Sequence, residues 1–450
     1  MTDSLRDLVQ RVVQQAEVAG ASAADAVAFD VLDGHVRVRL GELEQIQRAR
    51  ERKLGLRVMV GQRQAISATG DLRPETVDKL AKDTVAMAKV IAEDPFAGLP
   101  DAAACGAFHA ERPDLLDAEA ETFDLEAGAQ WAKEAEKAAM SSDDRIQNSE
   151  GAEFGFSSAH RTYAASGGVA GSYRSSHFSG YVVPVAAENG VMERDYWYSQ
   201  RRHLADLESA TEIGQIAAAR TVRRLGARQA TTCQVPVVFD DRTASSLAGH
   251  LASALSGYAL YRGTSFLRGH LGEEIASPLV TVVDDGLLSG GMGTRPFDGE
   301  GLATCQKVVV SEGTLESYLL DTYSARKLSM SSTANAVRSV ADAPTVGAAN
   351  FHLKAGEADA DALLEGIKEG FYVTELIGQG VNLTTGEYSR GAAGIWIENG
   401  KLTHAVNEVT IAGHLLSMFR DIVAVGDTLD PYRSVSSPPL RIREMTVAGG

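Results

Sequence analysis

The sequence predicts an α+β protein of several domains, on three observations. The chain has 450 residues, more than one hydrophobic core usually serves. Apolar residues recur at period two in some segments and at helical period in others. These segments are grouped, so that a small N-terminal α/β-type unit precedes a β-rich C-terminal domain with short helices. Hydrophobic residues make up 44% and charged residues 23%, the proportions of an ordinary globular chain.

Leu5, Leu8, Val9, Val12, Val13 and Ala16 recur at helical spacing ahead of Gly20, which marks a first helix and its stop. Val27, Phe29 and Val31 then alternate, Asp33-Gly34 offers a turn, and Val36, Val38 and Leu40 alternate back as a hairpin. Leu54, Leu56, Val58 and Val60 form a further strand. Arg73-Pro74-Glu75 opens a helix, with proline suited to its first turn. Val77, Leu80, Ala81, Ala88 and Ile91 are read as part of its buried face. Residues 1–94 are taken as one unit. A linker is placed at 95–120, where three prolines fall between Pro95 and Pro113 without a period. A central domain is placed at 121–230. It holds a helix over Leu125 to Ala139, a β-rich stretch from Ile146 to Tyr198, and a helix from Leu207 to Leu225 stopped by Gly226. The C-terminal domain, 231–450, begins with the strand TTCQVPVVFDD, and Asp240 or Asp241 caps the helix after it. Asn399-Gly400 joins IWIE to KLTHAV as a hairpin.

No apolar run approaches the ~18 residues that span a bilayer. The N-terminus, MTDSLRDLVQ, shows no basic region followed by an apolar core. Cys105, Cys233 and Cys305 are widely spaced and form no CxxC pair, which argues for a reducing compartment. The cytoplasm is the expected location. The formal net charge is −17. Such a surface repels phosphate backbones, so neither nucleic acid nor a membrane is expected as a partner.

A helical zinc motif needs paired imidazoles and a general base. The helix LAGHLASALSG, Leu247 to Gly257, carries His250 alone, with Ser246 and Ala254 one turn to either side. His270 in RGHLGEE lacks a second histidine, and His404 and His414 make no ligand spacing. Ser324 and Lys327 have the Ser-x-x-Lys spacing of penicillin-binding serine hydrolases, but the companion motifs are absent. A short helix with solvated basic residues explains them. SGGMGTRPFDGEG lacks both GxGxxG and a GK[ST] ending, so a turn-rich loop is expected. Glu273-Glu274 and Asp284-Asp285 are expected as surface or capping residues. In the stretch Gly378 to Gly413, Tyr388, Ser389 and Arg390 sit between small residues where a peptide could approach. A packed β-meander explains that stretch equally well.

Several long motifs together carry a resemblance. GQGVNLTTGEYSRGAAGIWIENG and NEVTIAGHLLSMFRDIVAVGD are similar to the signature of the TldD/PmbA peptidases, specifically the PmbA branch, also called TldE. YRGTSFLRGHLGEEIAS, PFDGEG and LLDTYSARKL belong to the same pattern. The resemblance covers the whole chain and is strongest from about Val235 onward. It implies the fold of that family. It also implies a cytoplasmic heterodimer of a TldD-type and a PmbA-type chain, a zinc metallopeptidase that trims unfolded or modified peptides, including leader peptides. In that pair the TldD-type subunit holds the zinc through HExxxH and a late cysteine.

RGTS at Arg262 to Ser265 and VVDDG at Val282 to Gly286 set the register for carrying this motif over. Its first histidine falls on Ala248, its glutamate on Gly249 and its second histidine on Ser253. No cysteine follows Cys305. The resemblance thus implies no catalytic residue, metal or other cofactor in this chain, with zinc expected in a TldD-type partner. His250, Arg262, Thr264, Ser265, Gln379, Asn382, Tyr388, Ser389 and Arg390 are candidates for the shared cavity or interface. An extended peptide would be held there by strand addition. Two other readings stay open. One is a peptide-binding or regulatory homodimer with a gyrase-modulator-like role. The other is a hydrolase that uses Ser324 and Lys327, or a metal held by His250, His270 and His404. On the helix itself, Leu247, Leu251, Leu255 and Tyr258 are expected to enter the core. Thr243, Ser246, His250, Ser253 and Gly257 are expected to form a stripe, small apart from the histidine, that lets another backbone lie close.

Overall fold

The computed structural model describes residues 2–101, 105, 114–430 and 433–449. The first helix is α1 (Thr2–Val18), followed by β1 (Ala23–Arg39), β2 (Glu42–Val60), β3 (Arg63–Thr69) and α2 (Pro74–Ala88). Next come α3 (Leu125–Ser141), β4 (Ile146–Ala165), β5 (Val169–Glu188), β6 (Val191–Arg194), β7 (Trp197–Arg201) and α4 (Ala210–Val222). Their strands make one sheet in the order β3-β2-β1-β4-β5-β6, with β7 also on β5. β1 lies between β2 and β4, so strands from both sides of the proline-rich segment share that sheet.

Period-two alternation sorts the two faces of β1. Ala24, Ala26 and Ala28 pack with α1 and α2 at one end. Val36 and Val38 pack with α3 and α4 at the other. Val27, on the opposite face, meets Phe297 and Val340 of the C-terminal half.

The turn expected at Asp33-Gly34 is not there. β1 runs straight through it, and the chain reverses at Leu40-Gly41, with φ of 49° and 79°. A Cβ on Gly34 would stand 2.3 Å from the Phe156 ring on β4, so this glycine admits a ring rather than making a turn. Ile91 lies beyond α2 and is 40% exposed, outside the face assigned to it.

The C-terminal half begins with β8 (Cys233–Phe239), α5 (Asp241–Ala254), α6 (Gly257–Arg262), β9 (Val282–Asp285), β10 (Gln306–Ser311) and β11 (Thr314–Leu315). It continues with α7 (Thr322–Leu328), β12 (Ala336–Val337), β13 (Thr345–Val346), β14 (Asn350–Leu353), α8 (Ala360–Leu364), β15 (Glu369–Ile377) and β16 (Val381–Asn382). It ends with β17 (Glu387–Glu398), β18 (Lys401–His414), α9 (Leu415–Arg420), β19 (Ile422–Val425), β20 (Val435–Ser436) and β21 (Leu440–Ala448). The main sheet runs β15-β8-β21-β18-β17-β16, and an added β15–β17 pairing closes five of these strands into a ring. A second sheet, β11-β10-β9-β14-β20, packs with it, and α5 lies in their common core. The architecture is α+β and multi-domain. Among the described residues, no helix is long and apolar enough to cross a membrane.

A buried charge network ties the halves together. Arg57 on β2 grips Asp25 on β1 through Nε and Nη2, at 3.0 and 2.6 Å. Arg338 of the C-terminal half donates to Asp25 at 2.6 Å, and Glu300 lies 3.3 Å from Arg57. Burial pushes the Asp25 carboxyl up, but Arg338 and Arg57 prevail and hold it below the ordinary carboxylate range. Asp284 and Asp285, expected as surface or capping residues, are also buried, and Asp285 Oδ1 accepts from the Leu287 N–H at 2.8 Å. Asp284 is satisfied there by Lys307 Nζ at 3.0 Å, Asn335 Nδ2 at 2.8 Å and the Ala349 N–H at 2.7 Å.

Candidate functional site

Asp240 is the cap of α5. Its Oδ1 accepts from the Thr243 N–H and hydroxyl, both at 2.8 Å, which satisfies a donor the first turn leaves free. The helix buries Thr243, Ala244, Leu247, Ala248, Leu251 and Ala254. Arg242, Ser246, Gly249 and His250 are half-buried, and Ser253 is exposed. The expected faces hold only in part. Leu247, Leu251 and Leu255 are in the core, but Tyr258 is 47% exposed because the chain breaks after Ala254 and restarts as α6. The break also interrupts the small-residue stripe. Gly257 admits the Ser324 hydroxyl, which an added Cβ would meet at 2.3 Å, whereas a Cβ on Gly249 would meet nothing within 4 Å.

The three positions carried over from the zinc motif do not fit a zinc ion. Ala248 faces the core and Ser253 faces solvent. Ala, Gly and Ser supply no imidazole, carboxylate or thiolate there. Among the described residues, no three His, Cys, Asp or Glu side chains are placed to hold a metal ion.

Strand alternation on β17 brings Tyr388 and Arg390 to α5 and leaves Ser389 exposed on the other side. Arg390 Nη1 donates to Ser246 Oγ at 3.1 Å. The His250 and Tyr388 rings meet edge to face, with centroids 6.2 Å apart. Burial, and then the charge of Arg390, lower the His250 pKa. Tyr388 is 1% exposed, its hydroxyl has no partner among the described residues, and burial raises its pKa. His250, Tyr388 and Arg390 therefore form one cluster.

No contact described joins the other candidates to that cluster. Arg262 lies over the Tyr258 ring at 4.7 Å, and Thr264 Oγ1 donates to the Ala259 carbonyl at 3.3 Å. Ser265 is buried, donating to the Ala254 carbonyl at 2.6 Å and accepting from the Leu267 N–H at 3.1 Å, so it fastens its loop to the end of α5. Gln379 and Asn382 are exposed beside β16, and Asn382 Oδ1 accepts from the Thr384 N–H at 3.0 Å as a turn former. One backbone bond, Phe266 N to Leu383 O at 2.9 Å, links the RGTS loop to this hairpin.

The alternative site residues are occupied elsewhere. Ser324 Oγ donates to Asp321 Oδ1 at 2.5 Å in a helix cap, while Lys327 Nζ lies 4.0 Å from the Phe96 ring centroid. Arg326 donates to the carbonyls of Phe96 and Leu99, so the basic pair is not simply solvated. His270 pairs with Glu273 at 2.7 Å, and His404 lies 3.9 Å from Glu398.

A cavity of ≈ 320 Å³ opens beside the cluster, between the two halves. Arg242 and Ser246 of α5, Arg390 of β17 and Arg433 line one side, and Asp195, Tyr196 and Tyr198 line the other. The Arg242 guanidinium lies 4.2 Å over Tyr196, and that of Arg433 lies 5.2 Å over Tyr198. Arg242, Arg433, Tyr196 and Tyr198 escaped the sequence reading, because nothing in local spacing joins residues so far apart. The aromatic run in DYWYSQRR was the available signal. A larger cavity, ≈ 490 Å³, lies by Phe29, Tyr173, Phe297 and Arg338, and none of the sequence-predicted site residues lines it.

Comparison with known proteins gives a consistent pattern. Three family models match: PmbA/TldA metallopeptidase domain 1 at residues 24–88, the central domain at 118–225 and the C-terminal domain at 232–449. The Metalloprotease PmbA of Escherichia coli O157:H7 is 35% identical, with 99% of this chain and 97% of that protein covered. The Metalloprotease PmbA homolog of Haemophilus influenzae is 34% identical, with 99% and 96% covered. The TldD homolog of Haemophilus influenzae is 30% identical over 41% of this chain and 42% of its own length. Among solved structures, a Bacteroides thetaiotaomicron protein described as a candidate modulator of DNA gyrase superposes with a TM-score of 0.92 at 27% identity, covering 100% of this chain and 99% of that one. TldE from Thermococcus kodakarensis superposes with a TM-score of 0.87 at 20% identity, covering 98% and 100%, and shows the shared fold.

Proposed function

The chain belongs to the PmbA/TldD metallopeptidase family, and from that premise we propose that it is the PmbA-type, zinc-free subunit of a cytoplasmic heterodimeric peptidase. The zinc and the general base belong to a TldD-type partner. One observation carries this reading. The helix α5 bears Ala248, Gly249 and Ser253 where the motif requires two histidines and a glutamate. The contribution of this chain is to hold an extended peptide and to restrict the chamber to unfolded substrates. β16 ends its sheet, leaving an edge beside Gln379 and Asn382 on which a peptide strand can add without regard to sequence.

The test mixes the purified chain with a fluorogenic peptide and zinc, alone and with a TldD-type subunit. Cleavage is expected only in the mixture. Strong zinc-dependent cleavage by this chain alone would overturn the proposal. A stable homodimer that ignores the TldD-type chain on size-exclusion chromatography would favour the regulatory reading instead.

A further inference from the structure

We propose that the cavity lined by Arg242, Arg390 and Arg433 binds the carboxylate group of a peptide. This inference rests on the peptide-holding reading above and names what the site recognises.

The charges are unusual for this molecule. The chain carries a net charge of −17, yet three guanidiniums converge on one cavity. The two acids in its lining do not neutralise them. Asp195 faces Arg220 as an ion pair at 3.3 Å, though those two atoms make no hydrogen bond among the described residues, and Glu375 is engaged by Arg224 at 2.5 Å. Among the described residues, Arg433 keeps only long ion pairs, to Asp241 at 3.6 Å and Asp430 at 3.8 Å. Among the described residues, neither Arg242 nor Arg390 has a carboxylate within ion-pair distance.

Elsewhere the same side chain shows what it takes when a carboxylate is at hand. Arg11 on Asp78, Arg50 on Asp30 and Arg57 on Asp25 each close a two-pronged grip through Nε and Nη2. Arg390 is held in place by its Nη1 bond to Ser246, while its Nε is buried without a partner among the described residues. A buried donor of this kind calls for an acceptor. Tyr196 and Tyr198 support the flat faces of Arg242 and Arg433, which fixes the planes; Arg242 spends Nη1 on the Tyr196 carbonyl at 3.4 Å, and its remaining N–H groups have no partner among the described residues.

Size and shape narrow the ligand. A volume of ≈ 320 Å³ is at the small end for ligand sites and suits a carboxylate with its own residue, not a folded surface. A carboxylate can come from the free C-terminus of a peptide or from an Asp or Glu side chain. The cluster recognises the shared group.

Fluorescence anisotropy on the full chain, alone and with a TldD-type subunit, separates these cases. Three N-terminally labelled peptides share one neutral sequence: the free acid, the C-terminal amide, and the amide with one internal glutamate. The free acid, the glutamate peptide or both should bind at least about tenfold tighter than the neutral amide, and which one does so names the source. In the double variant Arg242→Gln/Arg390→Gln the preference should vanish, so that the acidic peptides bind no tighter than the neutral amide. Arg390→Lys keeps the charge but loses the fork; it should reduce the preference, and it replaces the double variant if circular dichroism shows that variant unfolded. Equal affinity for all three peptides, or a preference that survives the substitutions, overturns the carboxylate site and leaves the peptide-holding reading intact. Binding of none of them, with or without the partner, overturns both.

Discussion

Two arginine-bearing junctions join the same two halves of this molecule, and they are built in opposite ways. At the first, Arg57 and Arg338 close on Asp25, with Glu300 beside them, and Asp25, Arg57 and Glu300 are at most 3% exposed. The Arg57 grip on Asp25 is closed, while Arg338 gives Nη1 to Asp25 and keeps Nε and Nη2 without a partner among the described residues, beside the larger cavity. At the second, Arg242 and Arg390 line an open cavity with no carboxylate partner among the described residues. The residue type is the same, and the state of its fork decides the use. A filled fork in a buried seam, as on Arg57, helps set how the halves dock. An unfilled one beside a cavity is available to a ligand.

The comparison can be broken most decisively at Asp25. Asp25→Ala leaves two buried guanidiniums without their carboxylate and should cost about 3–5 kcal/mol, read from urea unfolding. A loss below about 1 kcal/mol would mean that the closed network is not holding the seam. Gly55→Ala tests the seam by shape alone. A Cβ there would lie 2.0 Å from the Val340 carbonyl oxygen, so overpacking of about 1–3 kcal/mol is expected. Unchanged stability would show that the halves part easily.

The open junction should respond far less. Arg390→Gln removes one hydrogen bond to Ser246, and about 1 kcal/mol or less should be lost in the same assay. A loss as large as that at Asp25 would make this arginine structural. The smallest effect concerns pH. Burial, and then Arg390, hold the His250 pKa below its ordinary value, so the folded state keeps the ring neutral while the unfolded chain takes up a proton. Its contribution is intact above an unfolded pKa of about 6.5 and declines as pH falls below it. His250→Gln should therefore lose less stability than the parent between about pH 7 and pH 5, where the unfolded imidazole titrates. Parallel losses would contradict the assigned neutrality.

Much of the fold was legible because it is written in short-range pattern. The alternation of Leu54, Leu56 and Val58, the proline opening α2 and the Asn399-Gly400 hairpin all read correctly from neighbours alone. Gly34 misled because a glycine that makes room for Phe156 and a glycine that makes a turn look the same in one dimension. Asp284 misled because its partners, Lys307, Asn335 and Ala349, come from distant strands and loops. The candidate site divides in the same way. Tyr388 and Arg390 stood out by their local setting, and the helix bearing His250 was recognised. The aromatic and arginine walls opposite them are assembled only by the fold.

The pairing of β1 with β4 has a consequence for how the chain is made. Asp25 lies opposite Ala165, and the whole of α1, β1, β2, β3 and α2 leaves the ribosome before that partner exists. During synthesis β1 can pair with β2 but must wait with its other edge open, as a sticky surface on the nascent chain. Lys and Arg are the residues that keep such edges from joining, and β2, the neighbour of β1, carries five of them between Gln47 and Val58. Ribosome pausing or chaperone capture, if either attends this protein, should fall in the interval before β4 emerges.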